Sequence, residues 1–206
     1  MIAIVDYGVG NLFSLRSSFA AIGEDVSVTA SPEELGAADG IVLPGVGAFG
    51  DAAEKLRRSG LDLVLREEAA RGKPLLGICL GMQLLFERSF EHGEHPGLGL
   101  LKGSVRPIAE RIPAELKIPH IGWNALRFVK DSPLFASLRE GDHVYFVHSY
   151  AAEDCEDSLL AVTEYGADLT AAVGKDNVYG CQFHPEKSAD VGLTILRNFC
   201  REVRGC

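Results

Sequence analysis

What most constrains this chain is a series of short, unbroken apolar runs, Ile2-Ala3-Ile4-Val5, Gly40-Ile41-Val42-Leu43 and Leu75-Leu76-Gly77-Ile78. A run of four residues with no polar face suits a strand covered on both sides, as in a parallel sheet. Between the first two runs, Leu12, Leu15, Phe19 and Ile22 recur at helical spacing until Gly23 stops the pattern, and Val26-Ser27-Val28 is strand-like. A helical stretch is predicted from about Asp51 to Ala70. Repeated strand and helix units imply an α/β fold, a mostly parallel sheet with helices on both faces.

The second half changes character. Ile118 to Val129, His143 to Tyr150, Leu159 to Glu164, Thr170 to Val173 and Val178 to Phe183 are strand-like with short turn-rich links, which predicts an antiparallel extension of the sheet. A last helix carries Leu193, Leu196, Phe199 and Val203 on one face. At 206 residues the length fits a single domain, residues 1–206, with ample core.

Composition excludes several function classes. With 29 acidic against 20 basic residues the net charge is -9, and the cations are scattered, which argues against nucleic acid or an anionic membrane as partner. Cys79, Cys155, Cys181, Cys200 and Cys206 are odd in number and form no CxxC pair, so reduced thiols are expected. There is no basic leader at Met1 and no apolar run near the roughly 18 residues that span a bilayer, so a soluble cytoplasmic chain is expected.

Leu75 to Phe86 reads as strand, tight turn, helix, with Cys79 at the turn between Gly77 and Gly81. This is the cysteine version of a nucleophile elbow: the turn strains the nucleophile's backbone, and glycines leave room for it. Free N–H groups at a helix start favour thiolate, the attacking species. A thiol needs a base, and of the six histidines His184 is best placed, because Glu186 lies two residues on, where an extended segment points to the same side. Cys79, His184 and Glu186 are therefore the expected nucleophile, base and orienter of an amide hydrolase.

Pro44 to Gly50 contains a formal GxGxxG with acidic Glu67 and Glu68 about twenty residues on, which could serve a dinucleotide. A second use is an oxyanion site, with backbone N–H groups of this loop joined by that of Leu80. Glu91-His92-Gly93-Glu94-His95 lies in a polar loop without helical metal spacing, so no metal is expected, and no cofactor. Trp123, the only tryptophan, is equally suited to core or interface.

Gly77-Ile78-Cys79-Leu80-Gly81-Met82-Gln83 and Gly180-Cys181-Gln182-Phe183-His184-Pro185-Glu186-Lys187-Ser188 resemble the triad motifs of class I glutamine amidotransferases. The resemblance runs from Ile2 to Phe199 and implies a flavodoxin-like α/β sandwich. Asp6-Tyr7-Gly8-Val9-Gly10-Asn11-Leu12, Pro44-Gly45-Val46-Gly47, Pro119 to Asn124 and Tyr145 to Tyr150 are similar to the members that work beside a (β/α)8-barrel cyclase subunit in histidine biosynthesis. That cyclase uses ammonia to make imidazole glycerol phosphate and aminoimidazole carboxamide ribotide.

What the resemblance implies is specific. Cys79 attacks the side-chain amide of L-glutamine, His184 moves the proton, and Glu186 orients His184. Gly47, Gln83, Ser149 and Tyr150 match positions that hold glutamine, and Val46 and Leu80 match the oxyanion site. Asn11, Trp123 and Lys187 match positions that face the cyclase in a heterodimer. The segment Phe90 to Lys102 matches least. A glutaminase subunit serving another synthase, such as the one that makes pyridoxal phosphate, and a catalytically silent regulatory module are the rival readings.

Overall fold

Each of the apolar runs becomes a buried strand in the computed structural model, which describes residues 1–205. In chain order the first half runs β1 (Ile2–Val5), α1 (Leu12–Ala21), β2 (Val26–Thr29), α2 (Pro32–Ala37), β3 (Gly40–Leu43), α3 (Phe49–Ser59), α4 (Leu61–Ala70), β4 (Leu75–Ile78) and α5 (Leu80–Leu84). There follow β5 (Phe86–Ser89), β6 (His95–Pro96), β7 (Leu101–Pro107), β8 (His120–Ala125), β9 (Arg127–Phe128), β10 (His143–His148) and β11 (Tyr150–Glu153). The chain ends with β12 (Leu159–Glu164), β13 (Asp168–Lys175), β14 (Val178–Cys181) and α6 (Ala189–Arg204).

The main sheet has the order β2-β1-β3-β4-β14-β13-β12-β9. Its first five strands pair in parallel and the remaining pairings are antiparallel. Apolar clusters lie on both faces: Leu35, Phe49, Leu56 and Leu65 on one side, Leu15, Phe19, Ile195 and Phe199 on the other. That is why β1, β3, β4 and β14 are apolar on every residue rather than on alternate ones.

Three expectations are corrected. The single helix predicted from Asp51 to Ala70 is two, because Gly60 adopts a left-handed φ of 71° between α3 and α4. Val178 to Phe183 belongs only in part to the antiparallel extension: β14 pairs antiparallel with β13 but in parallel with β4, so it is also the last strand of the parallel core. The stretch His143 to Tyr150 divides between β10, which pairs only with β8, and β11, which joins β7, β5 and β6 in a separate small sheet. The loop Glu91–His95 is built into the fold, since Glu91 accepts the Phe49 N–H at 2.7 Å and so caps α3, whose own N-cap residue Ala48 offers no side chain for the purpose.

The ends of β3 and β4 approach each other very closely. A Cβ on Gly81 would stand 1.8 Å from the Leu43 carbonyl oxygen, and one on Gly45 would stand 2.9 Å from the Gly81 nitrogen. The loop after β3 is thus seated against the start of α5 by backbone-to-backbone contact that only glycine permits. Gly60, by contrast, has nothing within 4 Å, so its requirement is conformational alone. Gly60→Ala should therefore lower unfolding stability by about 1 to 2 kcal/mol, and Gly81→Ala by clearly more, in urea titrations; equal losses would show that the loop is not held by this contact.

Candidate active site

The turn between β4 and α5 places Cys79 at φ 54° and ψ -112°, a region that residues other than glycine rarely occupy. Its N–H is held by the Cys181 carbonyl at 2.7 Å, and its carbonyl accepts the Gln83 N–H at 3.2 Å. The elbow is fixed from both sides. A Cβ on Gly77 would lie 2.7 Å from the Gly81 carbonyl oxygen, so the glycines flanking Cys79 are the space into which the turn folds.

The partner side chain comes from the turn after β14. His184 Nδ1 lies 2.8 Å from Glu186 Oε1, and the two side chains are each about 4% exposed. With Nδ1 occupied, Nε2 is left for the hydrogen bond to Cys79. The turn itself is pinned to β10: the His184 N–H donates to the Tyr145 carbonyl at 2.9 Å, and Ser188 Oγ accepts the Tyr145 N–H at 3.0 Å while donating to the His184 carbonyl at 2.6 Å. Sequence reading missed Ser188, although it stands four residues after His184 in the same motif.

Burial by itself would lower the His184 pKa. Hydrogen bonds to Cys79 and Glu186, and their negative charge, outweigh it and raise the imidazole from 6.5 to about 9. An imidazolium held between a carboxylate and a sulfur is the geometry that stabilises a thiolate. His148, also buried, is moved the other way by desolvation, to about 4, and so stays neutral. Because the Tyr150 carbonyl can only accept, His148 Nδ1 carries the proton of their 2.8 Å contact, and its Nε2 lies 3.0 Å from His120 Nδ1.

A cleft of about 620 Å3 opens in front of the sulfur. Its lining brings together Val46, Gly47, Leu80, Gln83, Ser149, Tyr150 and Lys187 with Cys79 and His184, along with His92 and His148, which sequence reading did not place there. The Tyr7 hydroxyl donates to the Pro44 carbonyl at 2.8 Å and so steadies the loop that carries Val46 and Gly47. Glu68, one of the acidic residues that a dinucleotide reading would use, is committed elsewhere: Lys73 Nζ lies 2.7 Å from its carboxylate and also donates to the carbonyls of Leu35 and Gly36. Val46 and Gly47 of the loop of residues 44–47 line the cleft together with Cys79.

Asn11 and Trp123 lie outside the cleft. Asn11 caps α1 by accepting the Ser14 N–H at 3.3 Å. Trp123 is half exposed on β8 and meets Tyr145 edge to face at 6.0 Å, and Lys187 Nζ lies over the Tyr145 ring, 5.5 Å from its centroid. Val46, in the lining of the cleft, is exposed, as are Ile118 and Ile121 on either side of Pro119 and His120 in the chain. Among the remaining cysteines, Cys155, Cys181 and Cys200 are buried, and Cys206 lies outside the described residues.

The sign of the His184 shift fixes a pH dependence. A pKa raised on folding stabilises the folded state fully below 6.5 and loses that contribution as pH rises through about 9. The melting temperature should therefore fall between these values, and fall less in Glu186→Gln, which removes one charge that holds the proton. Identical pH profiles for both proteins by differential scanning fluorimetry would contradict the pairing.

The chain was compared with known proteins. A model of the family described as glutamine amidotransferase class-I matches residues 3–203. Imidazole glycerol phosphate synthase subunit HisH of Oceanobacillus iheyensis is 50% identical over 205 residues, covering 99% of this chain and 100% of that protein. The protein of the same name from Sulfurimonas denitrificans is 52% identical over 203 residues, 98% of each. Among solved structures, a glutamine amidotransferase superposes with a TM-score of 0.77 at 20% identity over the whole of both chains, and PurLQS from Thermotoga maritima with 0.77 at 19% over 98% of both. Those two likenesses concern the fold.

Proposed function

The chain belongs to the class I glutamine amidotransferases, and from that premise we propose that it is the glutaminase subunit of imidazole glycerol phosphate synthase, using Cys79, His184 and Glu186 as its triad. The observation that carries the chemistry is the strained Cys79 facing an imidazolium that Glu186 holds at 2.8 Å. The relatives at 50% and 52% identity, covered nearly end to end, support the choice of synthase.

Glutamine enters the cleft with its side-chain amide at the sulfur. The Cys79 thiolate attacks the amide carbon, a C–S bond forms, and the carbonyl oxygen becomes an oxyanion received by the N–H groups of Val46 and Leu80. Collapse of this intermediate breaks the C–N bond as His184 Nε2 gives its proton to the leaving nitrogen, which departs as ammonia. The glutamyl thioester left on Cys79 is then attacked by water, with His184 now taking a proton, and glutamate leaves. Glu186 keeps the imidazole in the orientation that both half-reactions need. The rest of the glutamine is assigned to Gly47, Gln83, Ser149 and Tyr150, which line the cleft with Cys79.

Ammonia is useful only if it is captured before it is protonated and lost, which calls for a synthase subunit docked over the site. The reading assigns that role to a (β/α)8-barrel cyclase bound at the face carrying Asn11, Trp123 and Lys187 in a heterodimer. Half-exposed Trp123, braced on Tyr145 beside Lys187, has the character of an interface anchor. Productive arrangement of the loop Pro44 to Gly47 is assigned to the assembled state, so the isolated chain turns over slowly.

Glutamate release should be slow for the chain alone and strongly stimulated by the cyclase subunit with its ribonucleotide ligand. It should be abolished by Cys79→Ala and reduced roughly 10²- to 10⁴-fold by His184→Ala. Release that ignores the partner would preserve the triad and overturn the assignment to this synthase. No Cys79-dependent release in the complex would overturn the glutaminase itself.

A further inference from the structure

Gln182 is fully buried immediately after β14, two residues before His184, and nothing in the reaction above uses it. A buried primary amide must have its donors and acceptors satisfied, and the direction in which this one is satisfied can be worked out from its neighbours. The starting point is the Tyr150 carbonyl, which can only accept. Gln83 lies 3.1 Å from it, so the atom Gln83 presents there is its NH2 nitrogen, Nε2. The same nitrogen approaches Gln182 at 2.9 Å, so the atom that Gln182 presents is its carbonyl, Oε1. The other end of the Gln182 amide is then Nε2, and it points at Cys79 Sγ, 3.8 Å away.

The relay therefore runs one way, from a backbone carbonyl through two amides to the nucleophile, and it ends in an N–H aimed at sulfur. Reversing Gln83 would set its carbonyl against that of Tyr150, and reversing Gln182 would set one NH2 group against the other. The His148 Nδ1–H also donates to the Tyr150 carbonyl, at 2.8 Å, which reinforces the fixed end. Gln182 is held in place by its own backbone as well, because its N–H donates to the Ala171 carbonyl of β13 at 2.9 Å.

We infer that Gln182 is a further catalytic residue, a neutral donor that stabilises the Cys79 thiolate from the side opposite to solvent, and that Gln83 positions it. A donor to the charged form of an acid favours that form, and a neutral N–H on an ionised acceptor is among the stronger hydrogen bonds of a protein interior. In a resting site such contacts are long and tighten as charge develops. The titratable groups that also face the sulfur are His184, from the turn after β14, and Tyr7, from the turn after β1. Burial and the nearby sulfur raise the Tyr7 phenol far above its usual range, so it stays neutral, with its proton given to Pro44. Gln182 is thus a second, uncharged support that does not titrate when His184 does. It also bears on Gln83: the substrate-holding role implied for that residue must be met by atoms other than its NH2 group, which is spent on Tyr150 and Gln182.

This inference rests on Cys79 being the nucleophile, and its test reads the sulfur directly rather than through glutamine turnover. The rate of iodoacetamide alkylation of Cys79, assigned by peptide mass spectrometry, is followed against pH for the wild-type chain and for Gln182→Met and Gln182→Glu, with melting temperature recorded for each. Gln182→Met should move the midpoint up by about one pH unit, and kcat in the complex should fall about tenfold with KM for glutamine little changed. Gln182→Glu, which offers an acceptor to the sulfur, should move it further. If the variants do not fold, the wild-type chain still decides: the side-chain amide proton resonance of Gln182 should shift with the midpoint of Cys79 alkylation, and that shift should vanish in Cys79→Ala. A folded Gln182→Met whose alkylation curve overlays that of the wild type, or an amide resonance indifferent to the titration, overturns the inference. Absence of glutamate release by the wild-type complex would instead remove the glutaminase reading and leave the alkylation curves standing.

Discussion

Everything in the site is arranged around a backbone geometry that L-residues avoid, φ 54° and ψ -112° at Cys79. Such a conformation costs on the order of 1 to 3 kcal/mol and persists only where its surroundings over-determine it. Here they do so by close backbone contact: Gly81 against the Leu43 carbonyl, Gly45 against the Gly81 nitrogen, Gly77 against the Gly81 carbonyl, and the Cys79 N–H bonded to Cys181 on β14. The parallel core of the sheet exists, from the standpoint of function, to bring the ends of β3, β4 and β14 together at one point. Cys79 comes from the end of β4, the loop of residues 44–47 from the end of β3, and His184 from beyond the end of β14.

Charge is then managed from two directions. On the cleft side His184 carries a proton that Cys79 and Glu186 retain up to about pH 9. On the buried side the amide of Gln182 donates to the sulfur, while Tyr7, which also faces it, gives its proton to the Pro44 carbonyl. A charged donor there would have needed its own counter-ion in a dry interior, whereas an amide needs only the acceptor that Gln83 and Tyr150 complete. The arrangement supports the thiolate without fixing a net charge in the core.

Much of this was legible in the sequence because it is written in local residue types. Unbroken apolar runs gave the strands of the parallel core, the glycines around Cys79 gave the tight turn, and the two-residue step from His184 to Glu186 gave their contact. What could not be read was of a different physical kind. Periodicity has no direction, so Val178 to Phe183 reads equally well as a parallel or an antiparallel strand, although its lack of a polar face was a clue to the parallel core. The break at Gly60 depends on a single φ. The small sheet of β5, β6, β7 and β11 is assembled from short strands such as Phe86–Ser89, whose inner pair is exposed, leaving no pattern to detect. Gln182 was visible as a polar residue in step with Gly180 and His184, but its partners Gln83 and Tyr150 are brought to it only by the fold.

The central claim is that Cys79 forms a covalent thioester with glutamine. Acid quenching of the complex during turnover, followed by peptide mass spectrometry, tests it most directly. The account predicts an adduct on the peptide that carries Cys79, of the mass of glutamine less ammonia, absent from Cys79→Ala and accumulating when the water step is slowed. Continued glutamate release with no adduct on Cys79 at any quench time would contradict it.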